Sequence, residues 1–309
     1  MGRYLLRRIL LMIPVLFGTT FVIYAAVFAL PGDPVQALAG PNTVVTAAFR
    51  NAVDQKYHLD EPFLLRYWHY LVALLHGDFG VDLNNVEVSS IITASLPTTV
   101  DLALTTWVLE AVLGVALGVV AAVRAGKTAD YAILGGSMLV LGMPYFIIAY
   151  VAQVVLGVWL GWFPASGIED GWPMSYLLPA ACLALFGLPE ISRLTRASVL
   201  ENLHADYVDT AVTKGLSRMR ILYRHVVRNS LIPVTSMLGV NLGFLLSGTI
   251  LIEGIFNLPG LGYQIFQGVQ QHNGPVVVGI STLFVLVFLV VNLIVDLLYG
   301  ALDPRIRLA

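Results

Sequence analysis

Charge is scarce in this sequence. Of its 309 residues only 12% are Asp, Glu, Lys or Arg, roughly half the share in an average soluble domain, while 58% are hydrophobic. A soluble globule could not hide that much apolar surface behind so few charges. The net charge of -2 gives no attraction for polyanions. The composition therefore excludes a soluble enzyme, a disordered protein and a nucleic-acid-binding protein, and it indicates a polytopic helical membrane protein.

Residues for catalysis and for metal binding are also few. The single cysteine, Cys182, excludes a disulfide framework and a cysteine-based metal cluster. The six histidines form no H-E-x-x-H pattern, and no G-x-S-x-G sequence is present. Gly126-Lys127-Thr128 resembles the end of a phosphate-binding loop, but Ala121 stands where that loop requires its first glycine. The sequence thus predicts no catalytic, cofactor or metal site in this chain.

Long apolar stretches dominate what remains. A membrane helix needs about 20 mostly apolar residues. We predict an all-α protein with six transmembrane helices, placed at 9–30, 102–123, 131–168, 174–192, 229–252 and 276–295. Of these stretches, the third is too long for one crossing and contains Pro144, while the fourth is interrupted by Pro179, Pro189 and Glu190.

The distribution of positive charge predicts the orientation. Alternate connections hold 14 of the 17 Lys and Arg residues, and connections rich in these residues stay in the cytoplasm. Both termini are then cytoplasmic, as an even number of spans requires. The first apolar run is about 22 residues long, which favours an uncleaved membrane helix over a signal peptide.

The spans divide the chain into three parts. Residues 1–30 form the first transmembrane helix, 31–98 an extracytoplasmic helical segment, and 99–309 a five-helix core with a cytoplasmic loop at 193–228. The extracytoplasmic segment contains an amphipathic stretch, Phe63–Leu75, whose Tyr67, Trp68 and Tyr70 suit a membrane interface. A small helical cap on the bilayer is favoured over a direct substrate-binding role.

The cytoplasmic loop is the most basic part of the chain. Apolar residues recur there at helical spacing, and Gly215 separates two short helical pieces. Anchoring to anionic lipids would explain the charge alone, but a helix, a glycine and a basic helix favour docking to another protein. Both alternatives stay open at this point. The apolar positions are Val208, Ala211, Val212, Met219, Leu222 and Val226.

Polar residues at depth in the spans are candidates for a pathway or for helix packing. Glu110 is the costliest, since a carboxylate at a helix centre costs about 2.5–3.5 kcal/mol on insertion scales. Gly114 and Gly118 permit a close helix contact, within this chain or between chains. The neutral candidates are Gln153, Asn241, Ser247 and Asn292.

Short motifs along the whole chain resemble one transporter family. They include Leu30-Pro31-Gly32-Asp33-Pro34, Leu59-Asp60-Glu61-Pro62, Gly77-Asp78-Phe79-Gly80, Leu96-Pro97-Thr98-Thr99, Arg193-Leu194-Thr195-Arg196, the run from Asp206 to Leu216, Arg228-Asn229-Ser230-Leu231-Ile232-Pro233, Glu253, Phe256, Pro259-Gly260-Leu261-Gly262 and Leu302-Asp303-Pro304-Arg305. In this set and order, the chain resembles the permease subunits of peptide-type ABC importers, the dipeptide, oligopeptide and nickel family.

The resemblance implies that the cytoplasmic loop couples the permease to an ATPase. Asp209-Thr210-Ala211 stands where the general pattern has Glu-Ala-Ala, and Gly215 matches its glycine, whereas Pro233 comes later than in that pattern. The implied coupling residues are Asp206, Tyr207, Asp209, Thr210, Ala211, Lys214, Gly215 and Leu216.

The resemblance also implies location and partners. The chain would lie in a bacterial inner membrane beside a second homologous permease, above two cytoplasmic ATPase subunits that bind ATP and Mg, and would receive peptides from a solute-binding protein. Nickel or another small solute is an alternative substrate. A membrane scaffold or sensor subunit, or an autonomous channel, is an alternative function.

Overall fold

The computed structural model describes residues 2–28, 61–82, 85–247 and 249–302, together with 35, 45–47, 50 and 51. The motif positions 30–34, 59–60 and 303–305 lie outside the described residues. The described part is helical, which confirms the all-α prediction. Its helices are α1 Gly2–Phe28, α2 Phe63–Leu75, α3 Val88–Val123, α4 Thr128–Leu141, α5 Tyr145–Trp159, α6 Met174–Leu203, α7 Asp206–Thr213, α8 Arg218–Ser247, α9 Ile250–Phe256, α10 Leu261–Gln270 and α11 Gly274–Leu302.

Five of the described helices are each long and apolar enough to cross a membrane, namely α1, α3, α6, α8 and α11. A sixth crossing requires α4 and α5 together, which meet at a bend of 97°. Pro144 immediately precedes α5, where its missing N–H and fixed φ suit a helix start. The third apolar stretch, which is too long for one straight crossing, is thus interrupted at Pro144.

The described residues form two compact units, and the first contains α1, α2, the start of α3, α9, α10 and most of α11. In this unit α2 is held by tyrosine hydroxyl groups. Tyr67 donates a hydrogen bond of 2.9 Å to the carbonyl oxygen of Phe17 in α1, and Tyr70 donates one of 2.7 Å to Thr282 in α11. The helix at Phe63–Leu75 is confirmed, but of the three aromatic residues assigned to the interface only Trp68 is exposed.

The second unit contains the rest of α3, α4 to α7, α8 up to Leu245 and the end of α11, and its centre is a close contact between α3 and α6. A Cβ atom added at Gly114 would lie 2.6 Å from Cγ2 of Ile191, and one at Gly118 would lie 2.5 Å from Cβ of Thr195. The two backbones can approach this closely only because glycine has no side chain. The Gly114 and Gly118 pair thus packs helices within this chain.

The order of these contacts fixes the direction of the helices. Stepping four residues along α3, from Gly114 to Gly118, corresponds to stepping four residues along α6, from Ile191 to Thr195. The helices therefore run parallel. Parallel neighbours start on the same side of a membrane, so the chain between them must cross once. The bent pair of α4 and α5 then counts as one span, which gives six spans.

Several span boundaries differ from the prediction. The third span ends at Trp159 and not at 168, the fourth continues to Leu203, and the fifth begins at Arg218. The second span begins at Val88 and includes Pro97 and Asp101, because a proline inside a membrane helix is tolerated where neighbouring elements satisfy the backbone groups that it frees. The fifth span ends at Ser247, and residues 250–252, predicted to belong to it, form the start of α9 instead. Apolar character alone could not separate the two helices.

Replacing Gly118 by alanine should destabilise the protein. The added methyl group would overlap Thr195 and the Ser192 carbonyl oxygen, and overpacking of this kind costs about 1–3 kcal/mol. The measurement is the thermal unfolding midpoint of purified protein in detergent, followed by tryptophan fluorescence.

Gly135→Ala is the matched control, because Gly135 is also helical but has no atom within 4 Å of an added Cβ. It should leave the midpoint unchanged or raise it slightly, since alanine favours helix. Equal midpoints for the two variants would contradict the close contact.

Candidate functional site: the 193–228 loop and the buried carboxylates

The candidate coupling loop folds as two helices separated by a glycine turn, as predicted. Gly215 follows α7 with a φ of +73°, a left-handed conformation that suits glycine. The N–H of Gly215 donates to the Val212 carbonyl oxygen at 2.9 Å, and the N–H of Leu216 donates to that of Ala211 at 3.2 Å. These two hydrogen bonds form a Schellman motif, which ends α7 and turns the chain towards α8.

One face of α7 is anchored in the second unit. Val208 and Ala211 are buried in an apolar cluster with residues of α3, α6 and the start of α8. The hydroxyl of Tyr207 adds a hydrogen bond of 2.7 Å to Oδ1 of Asn202 at the end of α6. A displacement of α7 must therefore move these three spans or break the cluster. The other cluster members are Ala122, Val199, Ile221 and Val226.

The opposite face of the loop is apolar, basic and uncovered. Val212, Met219 and Tyr223 are 57%, 61% and 62% exposed. Helical spacing grouped Val212 and Met219 with the buried positions, but these two side chains point away from the cluster. We call the three residues, with Lys214, Arg218, Arg220 and Arg224, the docking surface; the four basic side chains are exposed as well.

The predicted coupling residues divide between these two faces. Ala211 is buried, and Tyr207 and Leu216 are half-buried. The remaining predicted residues are exposed, namely Asp206, Asp209, Thr210, Lys214 and Gly215.

Of the candidate pathway residues, the structure brings Glu110 and Asn241 together. Glu110 is buried in a turn of π-helix within α3, hydrogen-bonded to the Asn241 side chain, and its carboxylate lies against Gly187 of α6. The π-helical turn widens α3 locally, a distortion that is frequent at functional positions. Oε2 of Glu110 has no hydrogen-bond partner.

The other three candidates lie elsewhere. The side-chain amide of Gln153 donates a hydrogen bond of 2.8 Å to the carbonyl oxygen of Ala165, so it supports the loop after α5. Ser247 and Asn292 belong to the first unit, at the end of α8 and within α11. The structure does not gather the five residues into one polar path within either unit.

A second buried carboxylate, Glu253 of α9, organises the first unit. Its Oε1 accepts hydrogen bonds from the hydroxyl groups of Thr99, at 2.8 Å, and Thr249, at 2.6 Å. Its Oε2 accepts the N–H of Tyr263 at 2.9 Å. Thr99 in turn accepts the N–H of Leu261 at 2.8 Å. The carboxylate thereby ties α3, α9 and the start of α10 together.

This network shapes the turn between α9 and α10. Burial raises the pKa of the Glu253 carboxyl, and its hydrogen bonds act in the opposite direction. A side chain at Gly260 would overlap the carboxylate, so the glycine of the Pro259-Gly260-Leu261-Gly262 motif is required for this contact. The motif was noted in the sequence. Glu253 and its partner Thr99, however, are 154 residues apart, and no sequence pattern pairs them.

Among the described residues, no group of three or more His, Cys, Asp or Glu side chains could hold a metal ion. The carboxylates of this site serve hydrogen bonds between helices.

Replacing Glu253 by alanine should destabilise the protein strongly. The change leaves the Tyr263 N–H and two hydroxyl groups buried without their acceptor, at about 1–3 kcal/mol for each unsatisfied group. Glu253→Gln should be milder, because its amide oxygen can still accept the backbone donor while the hydroxyl groups rotate. Thermal unfolding in detergent measures both effects.

Glu169→Ala is the control, since Glu169 is exposed. A Glu253→Ala variant as stable as this control would contradict the structural role of the network.

Comparison with known proteins identifies the family. The family model described as "Binding-protein-dependent transport system inner membrane component" matches residues 114–308, and its N-terminal companion matches residues 1–103. The glutathione transport system permease protein GsiC of Escherichia coli (strain K12) is 35% identical over 308 residues, covering 99% of each chain. That of Salmonella typhimurium (strain LT2) is 36% identical over 310 residues, again covering 99% of each chain.

These matches span the chain from end to end and agree with its apolar helices. The chain therefore belongs to the family of inner-membrane components of binding-protein-dependent transport systems, and it is a permease subunit of an ABC importer.

Proposed function

We propose that this chain and a second homologous permease enclose the membrane pathway of a peptide importer. Two cytoplasmic ATPase subunits bind ATP and Mg and bind the docking surface, which lies at residues 212–224 of the 193–228 loop, and an extracytoplasmic solute-binding protein delivers the substrate to the opposite side. This chain contributes conformational change to the cycle and no covalent chemistry. Alternating access then follows from the preference of each ATPase state for one permease conformation.

The arrangement of α7 is the observation that carries this proposal. Its buried face, Val208 and Ala211, is fixed to three spans, while Val212 beside them is exposed. Exposed apolar side chains together with Arg, Met and Tyr are typical of protein interfaces. Lipid anchoring would account for the basic residues of the docking surface, but not for the buried contacts that fix α7 to the spans.

The relatives suggest the substrate class. Both compared relatives are named as glutathione transport permeases, and glutathione is a tripeptide. We therefore take a short peptide as the substrate and glutathione as the first one to test. Nickel is the alternative within the family, and a sensor or scaffold subunit is the alternative outside it.

The orientation of the chain can be tested by cysteine labelling. Cys182 is 3% exposed, so the wild-type protein should react little with a membrane-impermeant maleimide. Asp170→Cys, in the exposed loop before α6, should be labelled in intact cells. Val212→Cys should be labelled only after the membrane is permeabilised, because positive charge retains this loop in the cytoplasm.

Labelling of Val212→Cys from outside the intact cell would reverse the orientation and would exclude ATPase docking at this loop.

The function is tested in proteoliposomes that contain the full assembly. The solute-binding protein loaded with glutathione should stimulate ATP hydrolysis and drive peptide uptake, whereas this chain alone should do neither. Gly215→Val should reduce uptake by about tenfold, because a β-branched residue at a φ of +73° costs about 1–2 kcal/mol.

Gly215→Asn is the matched variant, since asparagine tolerates this conformation and no atom lies within 4 Å of an added Cβ. It should keep most of the uptake. Stimulation by Ni²⁺ and not by peptide would assign the alternative substrate. Failure of any ATPase to copurify with the chain would favour the sensor or scaffold function.

A further inference from the structure

One ion pair joins α4 to α6 near the loop that follows α3. Asp130, in the first turn of α4, is 2% exposed. Its Oδ1 accepts a hydrogen bond from Nε of Arg196 and its Oδ2 accepts one from Nη2, each at 2.7 Å. Oδ2 also accepts the N–H of Gly126 at 2.9 Å. A planar guanidinium that contacts both oxygens holds the carboxylate in distance and in direction.

This pair contains the one buried side chain of α4. All 14 residues of α4 are described, and Asp130 is the only one of them that is buried. Gly135 and Gly136, in the middle of the helix, have no neighbour within 4 Å of an added Cβ. Apolar burial therefore fixes α4 only weakly. Its far end leads to the 97° bend before α5, where the chain can change direction.

The other partner, Arg196, lies close to the apolar cluster that anchors α7. It follows Thr195, which packs on Gly118, and precedes by one helical turn Val199, which belongs to the cluster that buries Val208 and Ala211. The last turns of α6 thus connect α7 at one end and Asp130 at the other. A movement of α7 that displaces the end of α6 will therefore also displace Arg196 relative to Asp130.

We propose that the Asp130–Arg196 ion pair passes the movement of α7 and α6 to the bent span formed by α4 and α5. The pair positions that span during transport and touches no substrate. This role rests on the proposed function, because it assumes that an ATPase moves α7. A purely structural ion pair would instead affect folding and every activity alike.

The test compares uptake with ATP hydrolysis in the reconstituted assembly. Arg196→Gln should leave hydrolysis stimulated by the loaded binding protein near its wild-type rate, while peptide uptake per ATP falls by about tenfold. Arg193→Gln is the control, because it removes the same charge from the same helix at an exposed position. Its uptake per ATP should stay at the wild-type value.

Asp130→Asn provides a second variant that keeps an acceptor for the N–H of Gly126 and preserves the shape of the side chain. It should show the same loss of uptake per ATP, and the double variant should be no worse than either single variant, since one interaction is removed in all three. If Arg196→Gln fails to assemble, Asp130→Asn carries the comparison alone.

An unchanged uptake per ATP in these variants, or a parallel fall of uptake, hydrolysis and thermal stability, would overturn the proposal. Neither result would affect the proposed function, which fails only if the wild-type assembly shows no ATP-driven uptake or its ATPases do not bind this chain.

Discussion

The close approach of α3 and α6 is the constraint on which the second unit depends. Gly114 and Gly118 let the two backbones meet, and Gly187 on the other helix accommodates the carboxylate of Glu110. Without water between helices in a membrane, such contacts rest on packing and on a few hydrogen bonds, so small residues determine where helices can meet. The contact makes the helices parallel and thereby fixes how often the chain between them crosses.

The same contact gives the 193–228 loop a rigid pair of helices to act on. Ala122, at the end of α3, and Val199, near the end of α6, lie in the cluster that buries Val208 and Ala211 of α7. Packed interiors deform little and transmit displacement. A partner that is bound to the exposed side of α7 and displaces it therefore also displaces the spans. The Schellman turn at Gly215 keeps α7 and α8 as separate rigid helices.

The sequence predicted the features that depend on local composition. Apolar length identified the spans and Gly215 marked the turn in the loop. Pro144 was noted inside the third stretch, but the break beside it was not predicted. Periodicity alone could not say which apolar residues of the loop are covered: Val212 and Met219 share the helical spacing of Val208 but are exposed. That distinction depends on α3 and α6, whose positions relative to the loop are a matter of tertiary structure.

The features that escaped prediction are contacts between distant residues. Pairing Glu253 with Thr99, or Asp130 with Arg196, requires knowing which helices are neighbours, and neither pair has a characteristic spacing. The motifs containing Pro259 and Arg196 were recognised in the sequence, but the contacts that they make were not predicted. The boundary between the fifth span and α9 was missed for a related reason, since both are apolar and only a short break separates them.

Three buried carboxylates show what some of the few charged side chains of this protein do in the structure. Glu110, Asp130 and Glu253 are each at most 2% exposed, and each lies where elements distant in sequence meet. Their environments differ. Asp130 has a guanidinium that balances its charge, Glu253 has hydroxyl and backbone donors, and Glu110 has one amide and an oxygen without a partner.

This difference has a mechanical meaning. A carboxylate whose acceptor sites are filled by fixed donors resists displacement, because any movement leaves buried polar groups unpaired. The Glu253 network therefore favours a first unit whose α9–α10 turn keeps its shape, whereas Glu110 loses less when its surroundings shift. The Asp130 pair is strong and directional, and it holds a helix that is otherwise little buried, so it ties the first turn of α4 to α6.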